Sequence, residues 1–255
     1  MQNSQNLENG FIIVDAENFG ALTKLQSQIY ALTKKIFQIE EPNPSVGFNN
    51  FHKLINISDA ELNSKRLELI KEISSKCNAS ELIFEAFEKQ ITFLLGADIL
   101  AQKSTNLVLQ PPGDGNPSEL HRDAPANSPY EIVVWVPLVN CYKTKAMYIL
   151  DSNNSKKAIK FLDDNINKWD EFEKLAKSLS INKNINFGQA LIFFTGCLHG
   201  SEVNSESETR VSLNIRYKNL FSPSGLKNSL QFFSPIRISS LTKLASTFEY
   251  NETLK

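Results

Sequence analysis

Nine consecutive residues, Arg210-Val211-Ser212-Leu213-Asn214-Ile215-Arg216-Tyr217-Lys218, alternate polar and apolar without a break. A period of two is the mark of a β-strand, whose successive side chains leave opposite faces of a sheet. The chain must therefore hold a sheet with Val211, Leu213, Ile215 and Tyr217 on one face and two arginines on the other. The apolar face needs a second layer to cover it. The charged face has two readings. One is the wetted side of an ordinary antiparallel sheet. The other is the inner wall of a ligand site, where the planar fork of an arginine grips a carboxylate through two parallel charge-assisted hydrogen bonds and a hydroxyl such as Ser212 adds a third.

Other segments supply partners for such a strand. Phe11 to Val14, Asn106 to Gln110, residues 130–138 (YEIVVWVPL), Ala146 to Leu150 and Gln189 to Phe194 are short and rich in β-branched and aromatic residues. Helical spacing dominates before residue 104. Leu22, Leu25, Ile29, Leu32 and Ile36 recur at three and four residues. Ser58 with Glu61 forms a capping box ahead of a helix burying Leu62, Leu69, Ile70, Ile73 and Cys77. A third helix is expected from Asn78, with Ile83, Phe87, Ile91, Leu94 and Leu95 on one face. Residues 40–50 and 111–120 read as loops because Pro, Gly and Asn crowd them, and 155–180 reverts to helix. Short strands after a helical block suggest a barrel or sandwich buttressed by helices. The expectation is one domain over 1–255: a helical buttress (1–104), a β core (105–219) with a helical insertion at 152–187, and a C-terminal extension (220–255).

The chain has three histidines, His52, His121 and His199. His121 and Asp123 stand two apart in H-R-D, so an extended 119–123 would put both on one face. His199 follows the strand-like LIFFTGCLH, and Arg210 comes eleven residues later. Two imidazoles and one carboxylate with vacant positions are the donor set of a facial triad for non-haem Fe(II). His52, in NNFHKL, reads as structural. Trp135 reads as core or as an aromatic wall. Gln110 could point toward the site, and Cys197 reads as a small buried filler. Arg216 is either a contact for an anionic substrate or a surface residue. It lies six residues beyond Arg210, roughly 20 Å along a strand, too far for both to serve the same short molecule.

H-R-D at 121–123, H-G-S at 199–201 and R-V-S at 210–212 resemble the Fe(II)- and 2-oxoglutarate-dependent dioxygenase superfamily, and within it the phytanoyl-CoA dioxygenase-like branch. The opening FIIVDAENFGALTKL and the Trp-containing strand after H-x-D are similar to that branch. WVPLVNCYKTKAMYIL resembles oxygenases of bacterial carbohydrate and antibiotic biosynthesis clusters. The resemblance spans roughly residues 10–220, with its sharp motifs within 121–217. It implies a mainly β fold, a double-stranded β-helix or jelly roll buttressed by N-terminal helices. It implies that His121, Asp123 and His199 bind iron, that Arg210 and Ser212 hold 2-oxoglutarate, and that Thr144 contacts this cosubstrate. Dioxygen is the second cosubstrate, and the main substrate is a small organic metabolite, with a carbohydrate favoured. Asp123 argues against a halogenase, which has Ala or Gly there. DSNNSKK at 151–157 departs from the Gly-Ser-His stretch common in relatives.

Two alternatives differ in class: a cupin-like sugar epimerase or isomerase, which leaves Arg210 without a task, and a non-catalytic ligand-binding jelly roll. Lys plus Arg number 27 and Asp plus Glu 28, a balance that argues against nucleic acid as partner. Without a basic-then-apolar leader or an apolar run of about 20 residues, a cytoplasmic protein off the membrane is expected, as monomer or homodimer. The three scattered cysteines, Cys77, Cys141 and Cys197, then read as reduced thiols. Titration of the unfolded, non-reduced protein should find three free thiols; one alone would mean a disulfide.

Overall fold

The computed structural model describes residues 7–226 and 229–249. Residues 1–6 and 250–255, the latter part of the expected C-terminal extension, lie outside the described residues. The elements run β1 (Phe11–Asp15), α1 (Phe19–Phe37), α2 (Pro44–Asn49), α3 (Phe51–Leu54), α4 (Asp59–Lys76), α5 (Ala79–Ala86), α6 (Glu88–Leu95), β2 (Ile99–Gln102), β3 (Asn106–Gln110) and β4 (Glu131–Pro137). There follow β5 (Met147–Ile149), α7 (Ser152–Asp164), α8 (Trp169–Leu179), β6 (Ile181–Asn182), β7 (Gln189–Phe194), β8 (His199–Ser201), β9 (Arg210–Asn219), α9 (Ser229–Phe232), β10 (Phe233–Arg237) and α10 (Ser240–Ser246). Among the described residues helix takes 41% and strand 22%, and the strands do not close into a barrel. The fold is therefore mixed helix and antiparallel sheet, which corrects the mainly β expectation: the helices that cover the sheets outweigh them.

Strand β9 organises the larger, seven-stranded sheet. One of its edges pairs along β4, from Lys218 opposite Glu131 to Ser212 opposite Pro137. The other edge takes β3 at its first half and β2 at its second. Beyond β4 come β7 and then β1, and β10 extends the far edge through β2. The smaller sheet has the order β6-β5-β8.

Alternation along the strands sorts the core into layers. Val134, Val136, Ala190, Ile192, Val211, Leu213, Ile215 and Tyr217 join Leu22, Leu25, Ile29, Ile73, Ile83 and Phe87 in one cluster, so α1, α4 and α5 cover this face of the large sheet. The opposite face carries Val133, Trp135, Leu191 and Phe193, which pack on Met147 and Ile149 of β5. Helices α7 and α8 close the outside of the small sheet through Ala158, Phe172 and Ala176 against Tyr148 and Leu150. The charged face of β9 thus lies between two sheets.

Three local expectations change. Residues 44–49 are helix α2, because Pro44 fits a first helical turn and the Asn43 carboxamide oxygen accepts from the Ser45 and Val46 main-chain N–H groups. The helix expected from Asn78 breaks at Phe87, which is fully buried between α5 and α6. No breaker residue marks that point, so packing sets the break. The helical stretch at 155–180 is two helices, with Asp151 capping α7 by accepting from Asn154 N. Ser58 does cap α4, accepting from Glu61 N.

Gly47 in α2 makes a test of this packing. A Cβ there would lie 1.8 Å from the Tyr30 hydroxyl oxygen, and that hydroxyl donates to the Glu41 carbonyl at 2.7 Å. Gly→Ala inside a helix ordinarily stabilises by about 1 kcal/mol. Here Gly47→Ala should instead destabilise by about 1–3 kcal/mol through overpacking. Urea unfolding checks the sign.

Candidate active site

The site begins with a pairing that the sequence does not display. His121 stands outside any strand, yet it is the antiparallel bridge partner of His199. Each main-chain N–H donates to the other's carbonyl, His121 to His199 at 3.0 Å and His199 to His121 at 2.9 Å. The two imidazole centroids are brought to 4.3 Å, and the ring of Phe193 lies 4.8 Å from that of His199. The segment 119–123 is not the extended strand expected. After the bridge at His121 the chain enters a turn, with Asn127 N donating to the Asp123 carbonyl. His121 remains exposed while Asp123 is buried.

Both rings are held in one tautomer. His121 Nδ1 is 2.7 Å from the Glu119 carbonyl and His199 Nδ1 is 3.0 Å from the Cys197 carbonyl. A carbonyl only accepts, so each Nδ1 carries the proton and each Nε2 is left as a lone-pair donor. That is the orientation a metal-ligating imidazole takes. Burial, with His121 beside it, pushes His199 down to about 4, which leaves it neutral at pH 7.

Asp123 completes the set with a complication. Its Oδ1 accepts from Arg216 Nη2 at 2.5 Å, and both side chains are over nine-tenths buried. Arg216 is anchored in turn by Gln102, whose Oε1 accepts from Arg216 Nη1 at 3.3 Å and from its main-chain N–H at 3.2 Å. Among the described residues no three His, Cys, Asp or Glu side chains gather tightly enough to hold an ion as they stand. The donor chemistry nevertheless fits a divalent first-row metal. His121, His199 and Asp123, whose second oxygen has no hydrogen bond to Arg216, border one cavity of about 300 Å³.

Ile70, Asn106, Val108, Ser118, Trp135, Met147, Arg210, Asn214 and Arg216 line the same cavity. Arg210 is 3% exposed. Its Nε donates to Ser212 Oγ at 3.4 Å, its guanidinium lies 5.5 Å from the Trp135 ring centroid, and its Nη1 is buried without a hydrogen-bond partner. Burial pushes its pKa below the ordinary value. A buried cation with an orphaned donor is costly unless an anion answers it.

Arg216 stands six residues beyond Arg210 on β9, yet the two do not belong to separate cavities. Both arginines line one cavity, because Asp123 and the 106–108 segment of β3 extend it along the strand. Arg216 is also not a surface residue. Thr144 is not among the lining residues; its hydroxyl donates to Glu206 Oε1 and accepts from Ser205 N. Gln110 borders a neighbouring cavity. His52 is structural, its Nδ1 2.9 Å from Thr209 Oγ1. Cys197 is a buried filler between the sheets. The sequence carried no signal for Gln102 or Asn106, which reach the site only through strand pairing.

A second cavity of about 170 Å³ shares Leu107, Val108 and Ser118 with the first. It shares Arg66, Asp114 and Asn116 with a third of about 390 Å³ between α4 and the 111–116 loop. Arg66 Nη2 donates to Asp114 Oδ2 at 2.6 Å and ties that loop to α4.

No protein-family model matches the chain, and no curated protein matches it by sequence. Solved structures do match. The nickel complex of the non-haem monooxygenase ThoJ aligns with TM-score 0.55 at 17% identity, over 92% of this chain and 83% of that one. EctD from S. alaskensis with bound iron aligns with TM-score 0.54 at 13% identity, over 86% and 78%. The chain has the fold of ThoJ and EctD. No helix among the described residues is long and apolar enough to cross a membrane.

The shift at His199 has a consequence for the metal-free chain. Between its ordinary 6.5 and about 4, the unfolded chain holds a proton that the folded chain lacks. Folding stability therefore falls as pH falls through this window, by up to about 1.4 kcal/mol per pH unit. Urea unfolding at pH 7 and pH 5 should show the loss, and His199→Gln should reduce it; an unchanged slope would assign it to other groups.

Proposed function

We propose that this protein is an Fe(II)- and 2-oxoglutarate-dependent oxygenase acting on a small organic molecule. The observation that carries the reading is the buried guanidinium of Arg210, its Nη1 without a partner and no carboxylate among the described residues paired with it, in the same cavity as His121, Asp123 and His199. The fold shared with ThoJ and EctD supports it, and the two facing sheets are read as the halves of a double-stranded β-helix. In this reading His121 Nε2, His199 Nε2 and the second oxygen of Asp123 hold the iron. With 2-oxoglutarate and dioxygen the bound iron supplies an oxidant strong enough for a C–H bond, the cosubstrate leaving as succinate and carbon dioxide.

The chain's own residues position the reactants. Arg210 takes the far carboxylate of 2-oxoglutarate, and Ser212 steadies its guanidinium. Trp135 covers the guanidinium and keeps water from it. The main substrate approaches along the face of α4, past Arg66 and Ile70, with the 111–118 loop as its cover. The central cavity is at the low end of the roughly 300–1,000 Å³ that ligand pockets span, so a substrate beside 2-oxoglutarate extends into the adjoining cavities. Arg66 is spent on Asp114, and the other polar side chains there are amides, hydroxyls and the carboxylate of Asp59. This favours a neutral, hydroxyl-bearing molecule such as a carbohydrate, with hydroxylation as the simplest outcome. A cupin-like epimerase would leave Arg210 unused.

Arg210→Ala should raise the apparent 2-oxoglutarate constant at least tenfold with iron affinity largely kept, since losing one partner of a buried charged pair costs about 2–5 kcal/mol. His121→Ala, Asp123→Ala and His199→Ala should each lose Fe(II) in anaerobic titration. Undiminished iron affinity in any of the three would remove that residue, and iron-independent protein would leave only the binding-module alternative.

A further inference from the structure

We propose that Arg216 is a positioning residue: by occupying one oxygen of Asp123 it limits that carboxylate to a single oxygen toward the metal and so reserves a coordination position. The proposal rests on the metal and 2-oxoglutarate reading above. A carboxylate binds a cation through one oxygen or both. Six positions accommodate two imidazoles, one carboxylate oxygen, a two-point keto-acid chelate and dioxygen. If Asp123 bound through both oxygens, the chelate and dioxygen would compete for what remains.

Three observations support the assignment. The contact is short and buried, 2.5 Å between Arg216 Nη2 and Asp123 Oδ1. The arginine cannot easily withdraw, because Gln102 Oε1, itself in a buried side chain, holds both its Nη1 and its main-chain N–H. Its backbone is fixed in β9 opposite Val133 of β4. A water molecule could donate the same hydrogen bond, but it would leave as Asp123 turned; a guanidinium held at Nη1 by Gln102 and carried on a fixed strand does not. Charge alone would not place Arg216 here to strengthen the metal, since a cation beside a divalent ion repels it. Its removal should leave metal affinity equal or higher, which separates positioning from simple support of the site.

The test uses anaerobic full-length protein with Fe(II), saturating 2-oxoglutarate, and nitric oxide as a stand-in for dioxygen. The visible cosubstrate-to-iron band reports the chelate, and the iron–nitrosyl electron paramagnetic resonance signal reports the last position. Wild type should show the band and the nitrosyl together. Arg216→Met should bind Fe(II) at least as tightly, yet its nitrosyl should fall at least tenfold or form only as the band is lost. Arg216→Lys, which keeps one donor for Asp123, should restore both. A wild-type response from Arg216→Met overturns the proposal. So does recovery of the nitrosyl with more 2-oxoglutarate, which would make Arg216 a direct cosubstrate contact. If Arg216→Met does not fold, Gln102→Leu, which frees the arginine, should show a partial nitrosyl loss, and no loss overturns the proposal. Failure of wild type to bind Fe(II), or to show the band once iron is bound, would instead overturn the underlying reading.

Discussion

The structure depends on burying the charged face of one strand. Strand β9 sits inside its sheet, paired on both edges, so its arginines cannot swing round to water. Arg210 and Arg216 are both buried on the side that faces the smaller sheet. Each buried guanidinium needs an answering group. Arg216 finds Asp123 and Gln102. Arg210 finds Ser212 and the face of Trp135, and its buried Nη1 is left without a partner. The difference between an arginine answered by a carboxylate and one that is not, six residues apart on one strand, gives the cavity its structural end and its ligand-directed end.

The layers around β9 follow from the same alternation. Val211, Leu213, Ile215 and Tyr217 are fully buried, in one cluster with residues of α1, α2, α4, α5 and α6. On the other side, the small sheet cannot press directly onto a row of charges. The apolar contact between sheets is carried by β4, β5 and β7 instead, through Val133, Trp135, Met147 and Phe193. The gap left over β9 is the cavity. Helix α4 serves both layers: Leu69 and Ile73 face the core, while Arg66 and Ile70 border the cavities.

Much of the candidate site was legible because its residues obey short-range rules. H-x-D, the histidine after an apolar strand and the alternating arginines are each visible within a few residues. His121 and Asp123 do not share a strand face; a backbone bridge and a turn bring them to the cavity. Arg210 and Arg216 border one cavity because it runs along β9, lined also by β3 and the 121–123 turn. Gln102 was invisible because an isolated glutamine has no pattern, and only the pairing of β2 with β9 gives it a task.

What the sequence determined by itself was periodic: where β9 and most other strands lie, which face of α1 is buried, and which residue types could bind a metal or a carboxylate. These rest on interactions between neighbours along the chain, so the order of residues is enough. Tertiary structure decided the rest. It broke one helix at Phe87, raised the helical share above the strand share, tied Thr144 to Glu206, and gave Asp123 to Arg216. Each of these depends on groups far apart in sequence meeting in a place where water is scarce. There a hydrogen bond or charge that is trivial in solvent chooses between alternatives that local pattern leaves equal.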